Sequence, residues 1–447
     1  MQSKNNINLW IFFSALIFFV IRWYNPFVNF DEKIDIKIIY ESVSDGFYYF
    51  APFKAFANFD LNYSFDPVVT NLSNVSGPIG AFYLHLIFYY FLGAWSFVIL
   101  ELFYVLTFLI IFYKISRLLS FQRVESFLIA IILFNIPIIF EVLSLSKLNY
   151  FSIIYSEFYS FRFPRPLISS LFFYAFILCI FRLLNKDFFI KKNFFLLGLM
   201  SGLSFTSFFH TFVLEQIFLI FIFIYTYKHE TFDKLKKNFG LLIIYLSSFL
   251  IISLPFLINM FFADAEFLER MGLTNLNMDG KLLLLSYLFK KLFKFEFLLI
   301  IFLSASLLTV INYKMNLINY KKLNIFFMIF YLSILTPFIF ILLSPKHFSH
   351  LYLFNNIIVI SAFLLFFFTI LSIIRFHFIK KIAIKSMSKL AFPIILILFF
   401  CNFYQTHQNY NKIMLASDLI TERNEFKKRE VIEEIKASPE RPTTTIT

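Results

Sequence analysis

Long apolar runs, separated by short polar segments rich in lysine and arginine, extend over almost the whole chain. A helix needs about 20 predominantly apolar residues, within a range of roughly 17–25, to cross the hydrocarbon core of a bilayer. Runs of this kind, two of them slightly shorter, predict spans at 8–24, 95–113, 127–146, 166–181, 193–209, 211–227, 239–262, 295–312, 323–343, 351–374 and 390–404. The pattern therefore predicts an all-α fold, a polytopic transmembrane helical bundle of about eleven spans.

The first of these runs has the position of a signal peptide but lacks a cleavage site. The apolar stretch from Ile11 to Ile21 continues into the bulky residues Arg22, Trp23 and Tyr24, where a cleaved signal peptide carries small residues. We therefore expect the first run to remain in the protein as an uncleaved span.

Composition places the chain among membrane proteins. Hydrophobic residues make up 60% of the 447 residues and charged residues only 15%, whereas soluble domains carry roughly a quarter charged residues. The two cysteines, Cys179 and Cys401, both lie within apolar runs, which argues against a disulfide framework or a thiolate metal site. The sequence contains no zinc-type His/Cys spacing, no P-loop and no glycine-rich dinucleotide-binding motif.

Lysine and arginine are distributed unevenly between the loops, and this distribution predicts the orientation. With the N-terminus inside, the N-terminal segment and the predicted cytoplasmic loops hold 20 basic and four acidic residues, whereas the outer segments hold equal numbers of each. The positive-inside bias thus explains the formal net charge of +13, and no nucleic-acid partner is implied. We expect a multi-pass protein of a bacterial inner membrane, with a cytoplasmic N-terminus, a membrane domain at 1–404 and an external C-terminal tail at 405–447.

The longest predicted outer segment is the external loop at 25–78, between the first two spans. Loops of this length are usually functional or disordered, and the many aromatic residues favour a folded loop that bears interfacial helices. The apolar stretch from Ile79 to Leu92 is short for a span and is predicted to be an interfacial or re-entrant helix. The loop contains seven acidic residues: Asp31, Glu32, Asp35, Glu41, Asp45, Asp60 and Asp66.

Three acidic residues, Glu101, Glu141 and Glu215, lie inside predicted spans. A carboxylate in the bilayer is costly unless it is paired, protonated or solvated, so each of them predicts a polar partner. In the predicted topology all three fall in the outer part of their spans, and His210 lies at the same level between two closely spaced spans. They indicate either a polar cavity that opens outward or independent helix–helix hydrogen bonds, with His210 as a turn residue.

A stiff basic segment precedes the fourth predicted span. Arg162 and Arg165 are separated by Phe163 and Pro164, and Pro166 suits the first turn of the following helix. Guanidinium groups bind phosphate oxygens bidentately, so the two arginines predict a phosphate-binding clamp. The alternative is that they anchor the segment to lipid headgroups.

A second outer segment with basic residues follows the ninth predicted span. It contains Lys346 and His347, with His350 close behind. Short outer turns often contain a lysine for no chemical reason, so Lys346 and His347 are the less specific candidates for binding a phosphate.

The order of motifs in roughly the first 230 residues allows a comparison with known families of membrane proteins. The N-terminal span is followed by the acidic pair Asp31-Glu32, a long outer loop and the Gly77-Pro78 entry into a half-embedded helix, and the stretch 197–205 carries two glycines. This layout resembles the GT-C glycosyltransferase superfamily, polytopic enzymes such as protein mannosyltransferases and aminoarabinose transferases. These enzymes use polyprenyl-phosphate-linked sugars, and a glycine-bearing fifth-span region is common among them.

The resemblance implies transfer of a sugar from a polyprenyl-phosphate donor to a glycan, lipid or protein acceptor at the external face. Such a transfer needs a carboxylate near the acceptor hydroxyl as general base and cations that hold the departing phosphate. Asp31 is the first candidate base, with Glu32 beside it; some members separate their two acids, so Asp45 or Asp60 is the alternative second acid. Some members also use a divalent metal, which carboxylates would ligate, and the sequence leaves metal dependence open.

Two other functions stay open from the sequence. A lipid or polysaccharide flippase or transporter usually breaks its helices with glycine and proline and has related halves, whereas this chain has 9 glycines and no visible repeat. An O-antigen-type polymerase is the rival enzyme, and its long outer loop is expected later in the chain than the loop at 25–78.

Overall fold

The structure, a computed structural model, covers most of the N-terminal two thirds of the chain and parts of the remainder. It describes residues 4–28, 34–43, 46–59, 79–118, 121–142, 163, 167–185, 191–207, 209–227, 239–261, 273–275, 277–292, 338–339, 341–342, 346–348, 393–404 and 406–408. These residues are almost entirely helical, as the apolar periodicity predicts.

Eleven named helices and two short strands follow one another along the described part of the chain. They are α1 (Lys4–Val28), α2 (Ile34–Ser42), α3 (Gly46–Ala57), α4 (Ile79–Leu92), α5 (Trp95–Leu118), α6 (Arg123–Val142), α7 (Leu167–Asn185), α8 (Lys191–Ser207), α9 (Phe209–Tyr227), α10 (Phe239–Phe261), β1 (Leu273–Asn275), α11 (Met278–Leu292) and β2 (Lys346–Phe348). Residues 393–404 are also helical.

Three of the described helices are long and apolar enough to cross a membrane: Ile7–Val28, Trp95–Leu118 and Phe239–Ile258. Helices α1 and α5 to α10 coincide with seven predicted spans, and α4 has the predicted limits. The predicted spans at 295–312 and 351–374, and most of the one at 323–343, lie outside the described residues. These apolar helices indicate membrane association.

The first helix is longer than the sequence predicts. Its apolar run was expected to end at residue 24, but α1 continues to Val28 and includes Pro26. The last turn of α1 therefore belongs to the region predicted as the external loop at 25–78, and the two helices α2 and α3 follow it there.

The core is built around α5, which α1, α2, α4, α6 and α7 surround. Its centre is aromatic and aliphatic, and Trp23, Phe97, Phe112 and Tyr174 are among its fully buried side chains. Large apolar side chains also cover the outside of the helices; Ile251 on α10, for example, is 68% exposed. An outer surface of this kind is stable in a lipid solvent and would be costly in water.

Helix α8 packs closely against α10 because two glycines remove the side chains between them. A Cβ atom on Gly198 would lie 2.0 Å from Ser248 Oγ and 2.3 Å from the carbonyl oxygen of Tyr245, and one on Gly202 would lie 3.0 Å from the carbonyl oxygen of Phe249. Small residues four positions apart are a common interface between membrane helices. Close packing thus accounts for the glycines in the stretch 197–205.

A tight turn connects α4 to α5. Gly93 adopts a φ of 55°, which a residue with a Cβ rarely tolerates, and its N–H donates a hydrogen bond of 2.8 Å to the carbonyl oxygen of Tyr89. This glycine ends α4 in the left-handed conformation typical of helix C-termini and directs the chain at once into α5.

Two backbone pairings connect segments that are distant in the chain. Strands β1 and β2 pair in antiparallel fashion, with Thr274 opposite His347. An isolated parallel bridge joins Val43 to Phe163, where the N–H of Phe163 donates a hydrogen bond of 2.7 Å to the carbonyl oxygen of Ser42. The strands are the small exception to the all-α expectation, and Lys346 and His347 lie in β2.

The helical segment 393–404 packs beside α1 and α6. The ring of Phe399 lies 4.8 Å from that of Phe18, and Asn402 donates a hydrogen bond of 2.9 Å to Asn135. Just beyond the segment, His407 and Asn25 form a hydrogen bond of 3.0 Å. The first and the last described helices are therefore neighbours.

Candidate functional site

Most residues predicted for the external site lie outside the described part of the chain. This group contains four acids and two arginines: Asp31, Glu32, Asp45, Asp60, Arg162 and Arg165. For Glu141, His210, Lys346 and His347 the structure describes the element but not the side chain. The roles predicted for these ten residues stay predictions. Glu101 and Glu215 are the predicted site residues whose side chains are described.

Glu101 belongs to a charged cluster that joins three helices, α1, α2 and α5. Arg22 lies one and a half turns before the end of α1 and contacts Glu41 on α2, with Nη1 3.3 Å from its Oε2. A second nitrogen, Nη2, donates a hydrogen bond of 2.8 Å to the backbone oxygen of Glu41. The Nε atom of Arg22 is 4.0 Å from Oε1 of Glu101. One cation thus faces two carboxylates.

Trp23 completes this cluster. The Arg22 guanidinium lies over its ring, 5.4 Å from the centroid, and its indole faces the Glu101 carboxyl group closely enough to interact with it. The buried indole N–H of Trp23 therefore donates towards the Glu101 carboxyl group, in a contact that departs from ideal hydrogen-bond geometry. We refer to Arg22, Trp23, Glu41 and Glu101 as the arginine cluster.

Phe163 is fixed firmly next to the arginine cluster. Its backbone is held by the bridge to α2, and its ring is buried among aromatic side chains of α3, α4 and α5. The nearest ring is that of His85, with centroids 4.1 Å apart, and Phe97 and Phe53 follow at 5.2 and 5.6 Å. The residue between Arg162 and Pro164 is therefore an anchor point on the end of α2.

His85 is the buried polar residue of α4. Its Nδ1 lies 3.1 Å from the hydroxyl oxygen of Tyr104 on α5, and the two rings are 5.5 Å apart. Both side chains are almost fully buried. The contact holds α4 to α5 on the same side of the bundle as Phe163.

Glu215 lies in a second polar cluster, formed by α8, α9 and α10. Ser204 donates a hydrogen bond of 2.7 Å to Oε1 of Glu215, while the buried Oε2 has no hydrogen-bond partner. Next to it, Gln216 donates to Ser201 at 3.2 Å and accepts a hydrogen bond of 2.7 Å from Tyr245. We refer to Ser201, Ser204, Glu215, Gln216 and Tyr245 as the neutral-partner cluster.

Glu101 and Glu215 have different partners on different helices. Glu101 interacts with Arg22 on α1 and Glu215 with Ser204 on α8. The choice between a polar cavity shared with Glu141 and His210 and independent helix–helix hydrogen bonds stays a prediction. Within the described residues, no group of three or more His, Cys, Asp or Glu side chains forms a metal-binding arrangement. Most of the loop acids lie outside those residues, so metal dependence stays open.

Sequence reasoning missed Arg22, Trp23, His85 and Tyr104 as parts of a site. The partner of Arg22 could have been expected from the sequence, because a charged residue that continues an apolar helix needs a polar partner in the membrane region. Glu41 belongs to the predicted external loop, where the sequence indicates no partner for it. No sequence pattern predicted the contact between His85 and Tyr104, since it forms only because the turn at Gly93 brings α4 against α5.

Comparisons with protein-family models, with curated proteins and with solved structures give no match for this chain.

Proposed function

We propose that the protein is a membrane glycosyltransferase that moves a sugar from a polyprenyl-phosphate donor to an acceptor at the external face. The observation that carries the proposal is the anchoring of Phe163 on the end of α2. Arg162 precedes Phe163 directly, and Arg165 follows it by two residues. Consecutive Cα atoms are about 3.8 Å apart. Both arginines are therefore connected through one or two residues to Phe163, which is bound to the end of α2 beside Glu41 of the arginine cluster.

The same reasoning supports an acid beside these cations. Asp45 follows Val43, the bridge partner of Phe163, by two residues. Asp31 lies three residues after the end of α1 and three before the start of α2, and these two helices are joined by the contact between Arg22 and Glu41. Chain connectivity therefore supports a group of acids and cations at one end of the bundle.

The proposed chemistry assigns a role to each group. Arg162 and Arg165 hold the donor phosphate and stabilise the negative charge that develops on it as the sugar leaves. Asp31 accepts the proton of the acceptor hydroxyl as general base, which typically contributes 10²–10⁴-fold in rate. Glu32, Asp45 or Asp60 is the second acid, and Lys346 and His347 are additional candidates for the phosphate.

We further propose that this end of the bundle faces outward, with the N-terminus cytoplasmic. Each of three contacts, the β1–β2 pairing, the Val43–Phe163 bridge and the Asn25–His407 hydrogen bond, joins segments that the charge distribution assigns to the outer side. Cysteines introduced as Ser438→Cys and Ser120→Cys test it in intact cells. Labelling of position 120 from outside would refute this orientation.

Substitution of the two arginines tests the phosphate role directly. We expect Arg162→Lys and Arg165→Lys each to weaken binding of polyprenyl phosphate by roughly tenfold or more, because a lysine ammonium does not reproduce the planar, bidentate guanidinium. Arg182→Lys on α7, which lies at the predicted cytoplasmic end, is the matched control and should bind like the unmodified protein. If both outer variants keep full affinity, the segment is only a headgroup anchor and the proposed site is wrong.

A further inference from the structure

The end of the bundle opposite the arginine cluster is strongly basic. Glu101 and Lys114 are 13 positions apart on α5, which corresponds to about 20 Å along a helix. At this far end α5 and α7 finish and α6 and α8 begin, and the four helix ends carry six described cations: Lys114, Arg117, Arg123, Arg182, Lys191 and Lys192. All of them are exposed except Arg182, which is half-buried. We refer to these six residues as the basic end.

The described acid at the basic end does not neutralise these cations. Glu125, in the first turn of α6, accepts a hydrogen bond of 2.7 Å from the backbone N–H of Gln122 and so caps its own helix. Arg117 donates a hydrogen bond to the backbone oxygen of Phe121, which closes the turn between α5 and α6. Among the described residues, every ion pair involves Arg22 at the other end, so no described carboxylate pairs with the basic end.

Two of the six cations face each other between α5 and α7. Lys114 lies close enough to Arg182 for the two charges to repel each other. Leu178 and Cys179 share the helix face of Arg182 one turn earlier, and both are buried, so Arg182 extends from the inner side of α7. Like charges held together by helix packing destabilise the fold. An anion between them turns both contacts into attractions.

The outer face of α5 indicates the kind of anion. Phe103, Leu106 and Ile110 precede Lys114 at intervals of three or four residues, so the four side chains share one face of the helix. Phe103 is 51% exposed, and Leu106 and Ile110 are partly buried. We refer to these three residues as the apolar stripe of α5. A stripe that ends in a cation fits a phospholipid, whose acyl chain follows the apolar residues and whose phosphate reaches the cation.

We propose that Lys114 and Arg182 bind the phosphate of an anionic phospholipid whose acyl chain lies against the apolar stripe of α5. Basic residues between membrane helices commonly bind anionic lipid headgroups. The bound lipid stabilises the bundle, because it connects α5 to α7 and removes the repulsion between their cations. This site does not depend on the proposed sugar transfer, since it lies at the opposite end from the arginine cluster.

Thermal unfolding of the full chain in lipid nanodiscs is the first test. We expect the unfolding temperature of the unmodified protein to rise as phosphatidylglycerol replaces phosphatidylcholine, and that of Lys114→Gln to rise far less. In pure phosphatidylcholine, Lys114→Gln should be at least as stable as the unmodified protein, because the substitution removes the repulsion from Arg182. Lower stability of the variant in pure phosphatidylcholine, or an equal gain from phosphatidylglycerol, would contradict the proposal.

Equilibrium binding of phosphatidylglycerol in neutral micelles is the second test. We expect Lys114→Gln and Arg182→Gln each to weaken binding roughly tenfold, whereas Arg182→Lys keeps the charge and most of the affinity. Lys192→Gln, at an exposed cation of the same end, is the matched control and should change the affinity less than about twofold, because salt screens exposed charges beyond roughly 8 Å. Equal losses for Lys114→Gln and Lys192→Gln would show only diffuse attraction to the basic end and refute a defined site.

Inorganic phosphate separates a lipid site from a site for a free anion. At the same concentration of phosphate groups, it should leave the unfolding temperature in phosphatidylcholine nanodiscs unchanged, because it has no acyl chain to pack on the apolar stripe of α5. Stabilisation equal to that by phosphatidylglycerol would show that Lys114 and Arg182 take a free anion, and would overturn the assignment to a lipid.

Discussion

Glu101 and Glu215 are both buried glutamates in apolar helices, yet their surroundings differ. Glu101 lies near Arg22, at the end of the bundle where α1, α2 and α5 meet. Arg22 also pairs with Glu41, and the side chains of these two residues are partly exposed. Glu215 is fully buried between α8, α9 and α10, and its hydrogen bond comes from the neutral hydroxyl of Ser204. Among the described residues, no lysine or arginine lies within ion-pair distance of Glu215.

The difference separates a charged cluster at one end of the bundle from a neutral cluster built into helix packing. The neutral-partner cluster lies in the same region as the glycine interface of α8, where Gly198 allows α10 to approach closely. Its polar atoms connect helices to one another, which is the usual role of such residues in membrane bundles. The arginine cluster instead joins helix ends through charge, since Arg22 contacts Glu41 and faces Glu101.

Removal of the cation from the arginine cluster should have the largest effect on stability. Arg22→Met leaves two carboxylates without a positive partner, and loss of one side of a largely buried ion pair costs about 3–5 kcal/mol. We expect the free energy of unfolding in mixed micelles to fall by about that amount. The double variant Arg22→Met/Glu101→Gln should recover part of the loss, since it removes the more deeply buried charge. A loss below about 1 kcal/mol for Arg22→Met would show that the ion pair is not structural.

Filling the glycine interface of the second region should have an intermediate effect. In Gly198→Ala the new methyl group would lie 2.3 Å from a backbone oxygen of α10, so the helices must separate, at a cost of about 1–3 kcal/mol. Gly240→Ala is the matched control, because nothing lies within 4 Å of its Cβ position, and it should be neutral or stabilising by less than about 1 kcal/mol. Equal unfolding free energies for the two variants would refute close α8–α10 packing.

Neutralising the second buried glutamate should have the smallest effect. In Glu215→Gln the side-chain carbonyl keeps the hydrogen bond from Ser204, and no ion pair among the described residues is lost. We expect the free energy of unfolding in mixed micelles to change by less than about 1 kcal/mol. A loss above about 2 kcal/mol would show that Glu215 has a cationic partner, and the contrast between the two glutamates would then disappear.

The helical architecture could be predicted from the sequence because one physical cause dominates it. Apolar runs long enough for the bilayer gave the limits of α5 and α10 to within a few residues, and α4 was predicted as a short separate helix. The site was harder to predict, since it depends on contacts between residues far apart in the chain. Arg22 and Glu41 are separated by 19 positions, and Phe163 reaches α2 across more than a hundred.

Local features explain where the observed elements differ from the predicted ones. Helix α1 continues past Tyr24 through Pro26 because its last turns are polar and aromatic rather than uniformly apolar, so hydropathy alone ends the helix too early. The pairing of β1 with β2 gave no signal, because three-residue strands are too short for a periodic pattern. By contrast, the charge of Glu215 inside an apolar run predicted a polar partner, and Ser204 supplies it.

The most direct test of the central claim is the fate of the donor in liposomes that contain the purified protein. The liposomes carry polyprenyl-phosphate-linked hexoses or pentoses, a cell-envelope extract supplies the acceptor, and the measured product is free polyprenyl phosphate. The account predicts its release by the unmodified protein and a rate lower by about 10²–10⁴-fold for Asp31→Asn, since asparagine keeps a helix cap but is no base. Movement of the intact donor across the bilayer without release of polyprenyl phosphate would identify a flippase and contradict the account.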